Sequence, residues 1–160
     1  MLLILTSFII YLIYNIFVLT RYSIPENLSS TYYKLGKYGW IFPVTMISCV
    51  ACLIPGWLNM LEGSDFQFVA FLCPMSIAFM AMAPDFKSDK FEYNVHAIST
   101  CIAAILALFA IIFILNGWLH LIFCTFLILL ISITTRTLKV NWLYWLETIV
   151  FLSTYTSILI

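Results

Sequence analysis

Apolar residues along this chain neither alternate nor recur as a narrow stripe. They run in six long stretches, residues 2–20, 40–58, 66–82, 95–115, 120–134 and 142–160, separated by short polar segments. A helix needs about 20 mostly apolar residues to cross the hydrocarbon core of a bilayer, within a range of roughly 17 to 25. The pattern therefore predicts an all-α fold: a single integral membrane domain over residues 1–160, built as a polytopic bundle of six transmembrane helices. The fifth stretch is short, so tilt or local thinning of the bilayer must help it across.

The boundaries carry signals of their own. Asn116-Gly117 provides a tight reversal between the fourth and fifth stretches, because both residue types tolerate left-handed backbone angles. Trp40, Trp57, Trp118, Trp142 and Trp145 fall near predicted span ends, where an indole sits well at headgroup level. Pro43, Pro55 and Pro74 lie inside spans and are expected to kink them.

Composition removes whole classes of function. Hydrophobic residues make up 64% of the chain and charged residues 9%, against about half and a quarter in soluble domains, so lipid must be the solvent for most of the surface. The net charge is zero with seven Lys and Arg, which excludes the clustered basic surface a nucleic-acid partner requires. Those seven cations are unevenly placed. Arg21, Lys34 and Lys37 follow the first stretch, Lys87 and Lys90 the third, and Arg136 and Lys139 the fifth. By the positive-inside rule all three segments face the cytoplasm and both termini lie outside it. The opening Met1-Leu2-Leu3-Ile4 lacks a basic region and a small-residue cleavage site, so the first stretch is expected to be a retained span. All five cysteines sit in apolar stretches, and Cys49-x-x-Cys52 reads as packing rather than redox chemistry.

Two polar segments hold the candidate chemistry. In 21–39, the hydroxyls of Ser29, Ser30, Thr31, Tyr32 and Tyr33 beside Lys34 and Lys37 could grip a lipid headgroup or a partner. The alternative is an interfacial half-helix, with Leu28, Tyr32 and Leu35 against the membrane surface and Ser29 or a neighbour as cap. Asn27-Leu28-Ser29 matches a glycosylation sequon, which a cytoplasmic loop would not use. In 84–96, Asp85, Asp89, Glu92 and His96 form the densest polar cluster. On a helix Asp89, Glu92 and His96 share a face, an arrangement that could pass protons or hold a metal ion. Asp89-x-x-Glu92 also has the spacing of an N-terminal cap.

His120 lies a full span away from His96, roughly 30 Å, so the two histidines cannot share a zinc ion. Glu147, five residues into the sixth stretch, requires a proton or cation path, access to the interface, or a cation such as Arg136 or Lys139. Asn15 is expected to bond between helices. Ser99, one turn from His96, lacks an orienting third group. Phosphate-loop, nucleophile-elbow, dinucleotide and zincin motifs are absent, and no cofactor is implied.

The segments Ile24-Pro25-Glu26-Asn27-Leu28-Ser29-Ser30-Thr31-Tyr32-Tyr33, Ala83-Pro84-Asp85-Phe86-Lys87 and Val95-His96 together resemble a group of short polytopic membrane proteins encoded by gut Bacteroidales and their phages. No activity is attached to that group. The resemblance implies a multi-pass protein of the bacterial inner membrane. The expected function is non-enzymatic: assembly as a homo-oligomer or binding of a membrane-protein partner through the cytoplasmic loops, with membrane lipids around it. Ala103, Ala104, Ala107 and Ala110 would permit close helix packing. The alternatives are a small proton or cation transporter using Glu147 and His96, and a lipid-modifying enzyme.

Overall fold

The computed structural model describes residues 1–137 and 141–160, and among these all regular structure is helical. Helix α1 spans Leu2–Arg21, the short α2 Thr31–Lys34, α3 Ile41–Met60, α4 Gln67–Met82, α5 Lys90–Phe109, α6 Trp118–Thr134 and α7 Trp142–Leu159. A 3₁₀ turn, Gly36–Tyr38, leads into α3, and a π-helical segment, Ala110–Ile114, ends α5. Three units are long and apolar enough to cross a membrane: Leu2–Arg21, Gly36–Met60 and Lys90–Ile114. Helices α4 and α6 are apolar but shorter, and α7 is interrupted by Glu147 and the hydroxyls of Ser153, Thr154, Thr156 and Ser157.

The helices pack as a ring. Helix α1 lies against α3, α3 against α4, α4 against α5, α5 against α7, and α7 returns to α1, while α6 packs outside on α7 and the π segment. Burial differs from that of a soluble bundle: the core is largely apolar, and so is much of the outer surface. The inward stripe of α1 is Ile4, Ser7, Tyr11, Tyr14, Asn15 and Val18, four of the six polar-tipped, whereas Leu2, Leu5, Ile9, Ile13 and Ile16 are exposed. On α6, Ile122, Phe123, Phe126, Leu130 and Ile133 are exposed and only Cys124, Ile128 and Ser132 are buried. An apolar girdle of this extent is stable only in contact with lipid. Together with the three long apolar helices, it makes this a helical membrane protein.

Several boundary expectations need correction. Helix α5 begins at Lys90 rather than at residue 95, because Asp89 caps it: its carboxylate accepts the Glu92 backbone N–H at 2.8 Å. Pro43 is the third residue of α3, in the first turn, where a missing N–H breaks no helical bond; only Pro55 and Pro74 lie in helix interiors. The tryptophan belt is incomplete. Trp40, Trp118 and Trp142 are exposed, but Trp57 is fully buried and Trp145 turns inward to donate its indole N–H to Thr137 Oγ1 at 3.1 Å. The half-helix at the membrane surface is only the four-residue α2, and Leu28 and Leu35 are buried in the core. Its entry is held by Asn27, whose Oδ1 accepts the Ser30 N–H at 2.7 Å, not by Ser29 or Ser30.

The segment after α1, the segment after α4 and the start of α7 gather at one end of the ring, joined by the bonds described below. The six described cations belong to these segments or the helix ends that flank them; Lys139 lies outside the described residues.

Candidate functional site

Two sets of contacts fasten that end. In the first, Tyr33 on α2 reaches the α4–α5 connection. Its hydroxyl donates to Asp85 Oδ1 at 3.2 Å and accepts the Lys87 backbone N–H at 2.7 Å, while its ring meets Phe86 edge-on at 5.4 Å. Burial raises the Tyr33 phenol above its ordinary range, the Asp85 carboxylate adds to the rise, and the Lys87 N–H opposes it. Lys87 Nζ also lies 3.1 Å from Glu26 Oε2, on a surface too exposed for the pair to add much stability.

Phe86 stacks on His96, with centroids 4.3 Å apart. The His96 Nδ1 lies 3.1 Å from both the Met80 and Ala83 carbonyls, at the end of α4. Carbonyls only accept, so Nδ1 carries the proton and donates to both. Glu92 turns back to accept the Asp85 backbone N–H at 2.8 Å. Asp89, Glu92 and His96 thus share a helix but spend their polar atoms on three different helix-end and loop groups. Among the described residues no three His, Cys, Asp or Glu side chains converge on a metal site. His96 bonds α4 carbonyls rather than Ser99, so these two do not form a nucleophile–base pair.

The second set ties the segment after α1 to α7. Asn141 Nδ2 donates to the Ile24 and Pro25 carbonyls at 3.0 and 2.8 Å, and the Tyr144 backbone N–H donates to the Glu26 carbonyl at 3.1 Å. The Leu28 N–H donates to Glu147 Oε2 at 2.6 Å. Deeper in, the Tyr144 hydroxyl donates to Asn15 Oδ1 at 3.2 Å, Thr31 Oγ1 donates to the Leu28 carbonyl at 2.7 Å, and Tyr14 bonds Thr31. Asn15 is therefore an interhelical tie, as expected. Glu147 forms no ion pair with Arg136, and Lys139 is outside the described residues.

This geometry changes the reading of the hydroxyl-rich motif. Ser29, Ser30 and Thr31 are 2%, 3% and 0% exposed. Ser29 donates to Met80 Sδ at 3.1 Å and Ser30 to the Asn27 carbonyl at 2.8 Å. Lys34 turns back to Ser23 Oγ and to the Ser23 and Ile24 carbonyls, at 2.8 to 3.0 Å. None of these four is free to grip a headgroup. Tyr32 and Tyr33 are half-buried, and Lys37 is exposed beside the Tyr38 ring.

Sequence reasoning missed a cavity of about 270 Å³ inside the ring, walled by α3, α4, α5 and α7 and closed by Leu28 and Ser29 at the fastened end. Ala103, Ala104 and Ala107 line it, and Ala103 also meets α4, where its carbonyl accepts the Cys73 thiol at 3.5 Å. Among the described residues Glu147 is the one charged residue on its wall, and Trp57, whose buried indole N–H has no partner among them, lines it as well. A deeply set acid on the last apolar stretch was the one legible sign of it.

Compared with known proteins, the chain matches no family, no curated protein and no solved structure.

Proposed function

We propose that this chain is a six-span, multi-pass protein of the bacterial inner membrane that acts by non-covalent binding rather than catalysis. In this reading the fastened end faces the cytoplasm, both termini face away from it, and the cap at that end contacts a membrane-protein partner or a second copy. The observation that carries the reading is the cap itself. Segments more than fifty residues apart in sequence are bonded to one another by Tyr33 and Asn141, and such prior ordering lowers the entropic cost of binding. Lys37, Phe91 and Tyr93 stand exposed around it, the cation and aromatic types that suit a contact face. The six-span orientation is supported by the gathering of the described cations at this end, and the bacterial address by the resemblance of its two loop motifs.

The test joins topology to contact. In a variant with the native cysteines replaced, a cysteine at Ser88 should be labelled only after permeabilisation, and one at Glu62 from outside. A photo-crosslinker at Lys37 or Phe91 should yield a discrete protein adduct or dimer, with none from Ile9 on the lipid-facing side. Labelling of both cysteines from one side would refute the span count, and adducts to lipid alone would refute the binding face.

A further inference from the structure

We infer that the cavity inside the ring is a binding site for a single-chain amphiphile with a cationic ammonium head, the head at Glu147 and the chain along α5 and α7. The shape sets the chain. The lining runs along α7 from Leu143 to Tyr155 and along α5 from Thr100 to Leu108, which at 1.5 Å per residue is roughly 18 Å and 12 Å. A volume of about 270 Å³ spread over that length makes a narrow slot. It falls below the roughly 300–1,000 Å³ of pockets that hold drug-sized molecules, so it takes one extended chain rather than a fused ring or a two-chain lipid. The walls are apolar because α5 presents Ala103, Ala104 and Ala107.

The charge sets the head. Among the described residues Glu147 is the only ionisable acid or base on the wall besides cysteine thiols and Tyr155, and they give Oε2 one donor, the Leu28 N–H. A carboxylate offers about four acceptor positions, so most of its capacity remains for a ligand. An ammonium donates up to three hydrogen bonds there, whereas a fatty carboxylate is repelled. Access is lateral: Cys101 and Leu146, both on the lining, are also exposed on the outer surface of α5 and α7, so a chain can enter from the surrounding lipid. At the far end the unpartnered Trp57 indole N–H is an additional donor for an acceptor group carried on the chain.

The test uses the whole protein held in amphipol, so that no single-chain detergent competes. Dodecylammonium, dodecanol and dodecanoate are titrated and adducts counted by native mass spectrometry. A charge-assisted hydrogen bond exceeds a neutral one by enough to give roughly tenfold to hundredfold preference for dodecylammonium over dodecanol. Glu147→Gln keeps an acceptor for Leu28 and should bring the two probes within about threefold of each other. Ala104→Leu keeps the acid but fills the slot, and should weaken both by about tenfold or more. Competition of dodecylammonium by lysophosphatidylethanolamine, a single-chain membrane lipid with an ammonium head, would identify the bilayer as the source of the head; its absence would identify a free amphiphile. Equal binding of all three probes to the native protein, or unchanged binding in Ala104→Leu, overturns the inference.

Discussion

Gly117→Ala is the most direct probe of how α5, α6 and α7 meet. Gly117 has φ −88°, which any residue can adopt, so the substitution adds no backbone strain. A Cβ there would lie 2.1 Å from Ser157 Oγ, 2.6 Å from Ser157 Cβ and 3.3 Å from Ile111 Cγ2. Ordinary contact begins near 3.4 Å, so α7 must withdraw by about an ångström, and overpacking of this kind costs about 1–3 kcal/mol. Alanine is also a poorer helix N-cap than glycine, by about half a kcal/mol. The Ser157 hydroxyl is buried with no partner, so removing it breaks no bond. Ser157→Gly alone should cost about 0.5 kcal/mol through helix propensity. Combined with Gly117→Ala, it should be less damaging than the sum of the two, with a coupling of about 1–2 kcal/mol. Unfolding of purified protein by sodium dodecyl sulfate titrated into neutral micelles, followed by circular dichroism, measures all three variants. Gly117→Ala within about 0.5 kcal/mol of the native protein, or costs that simply add, would refute the packing of this turn against α7.

Tyr33→Phe removes both cap bonds of the hydroxyl and should cost about 1–2 kcal/mol, with amide exchange at Lys87 accelerating because its N–H loses its acceptor; unchanged exchange would contradict the clasp. Since the folded Tyr33 phenol is raised above its unfolded value near 10, its contribution is complete below pH about 10 and is lost as pH rises through the folded value. That alkaline loss should be missing from Tyr33→Phe. His96→Ala leaves the Met80 and Ala83 carbonyls without their donor and Phe86 without its stacking partner, so it should destabilise the protein by about 1–3 kcal/mol while leaving proton flux in proteoliposomes unchanged. Flux lost in His96→Ala at matched reconstitution would restore the transport reading.

The sequence by itself determined the helices and their solvent. Stretches of about twenty apolar residues with few charges leave a backbone in lipid no alternative to helix, and all six predicted stretches coincide with helices to within five residues at their ends. The Asp89 cap and the reversal at Asn116, which takes φ 50°, were also legible, because both depend on residues close in sequence. Only the tertiary structure decided what polar groups in those helices bond. His96 reads as a proton carrier until α4 ends against it, and Ser29, Ser30 and Thr31 read as open to a headgroup until α7 and α4 close over them. Gly117 looks like a conformational requirement, yet Asn116 carries the left-handed angle and Gly117 makes room for Ser157. Beyond the acid at Glu147, the cavity left no sign in the sequence. A void is what four helices fail to fill together, and no single stretch of sequence records the distance to its neighbours.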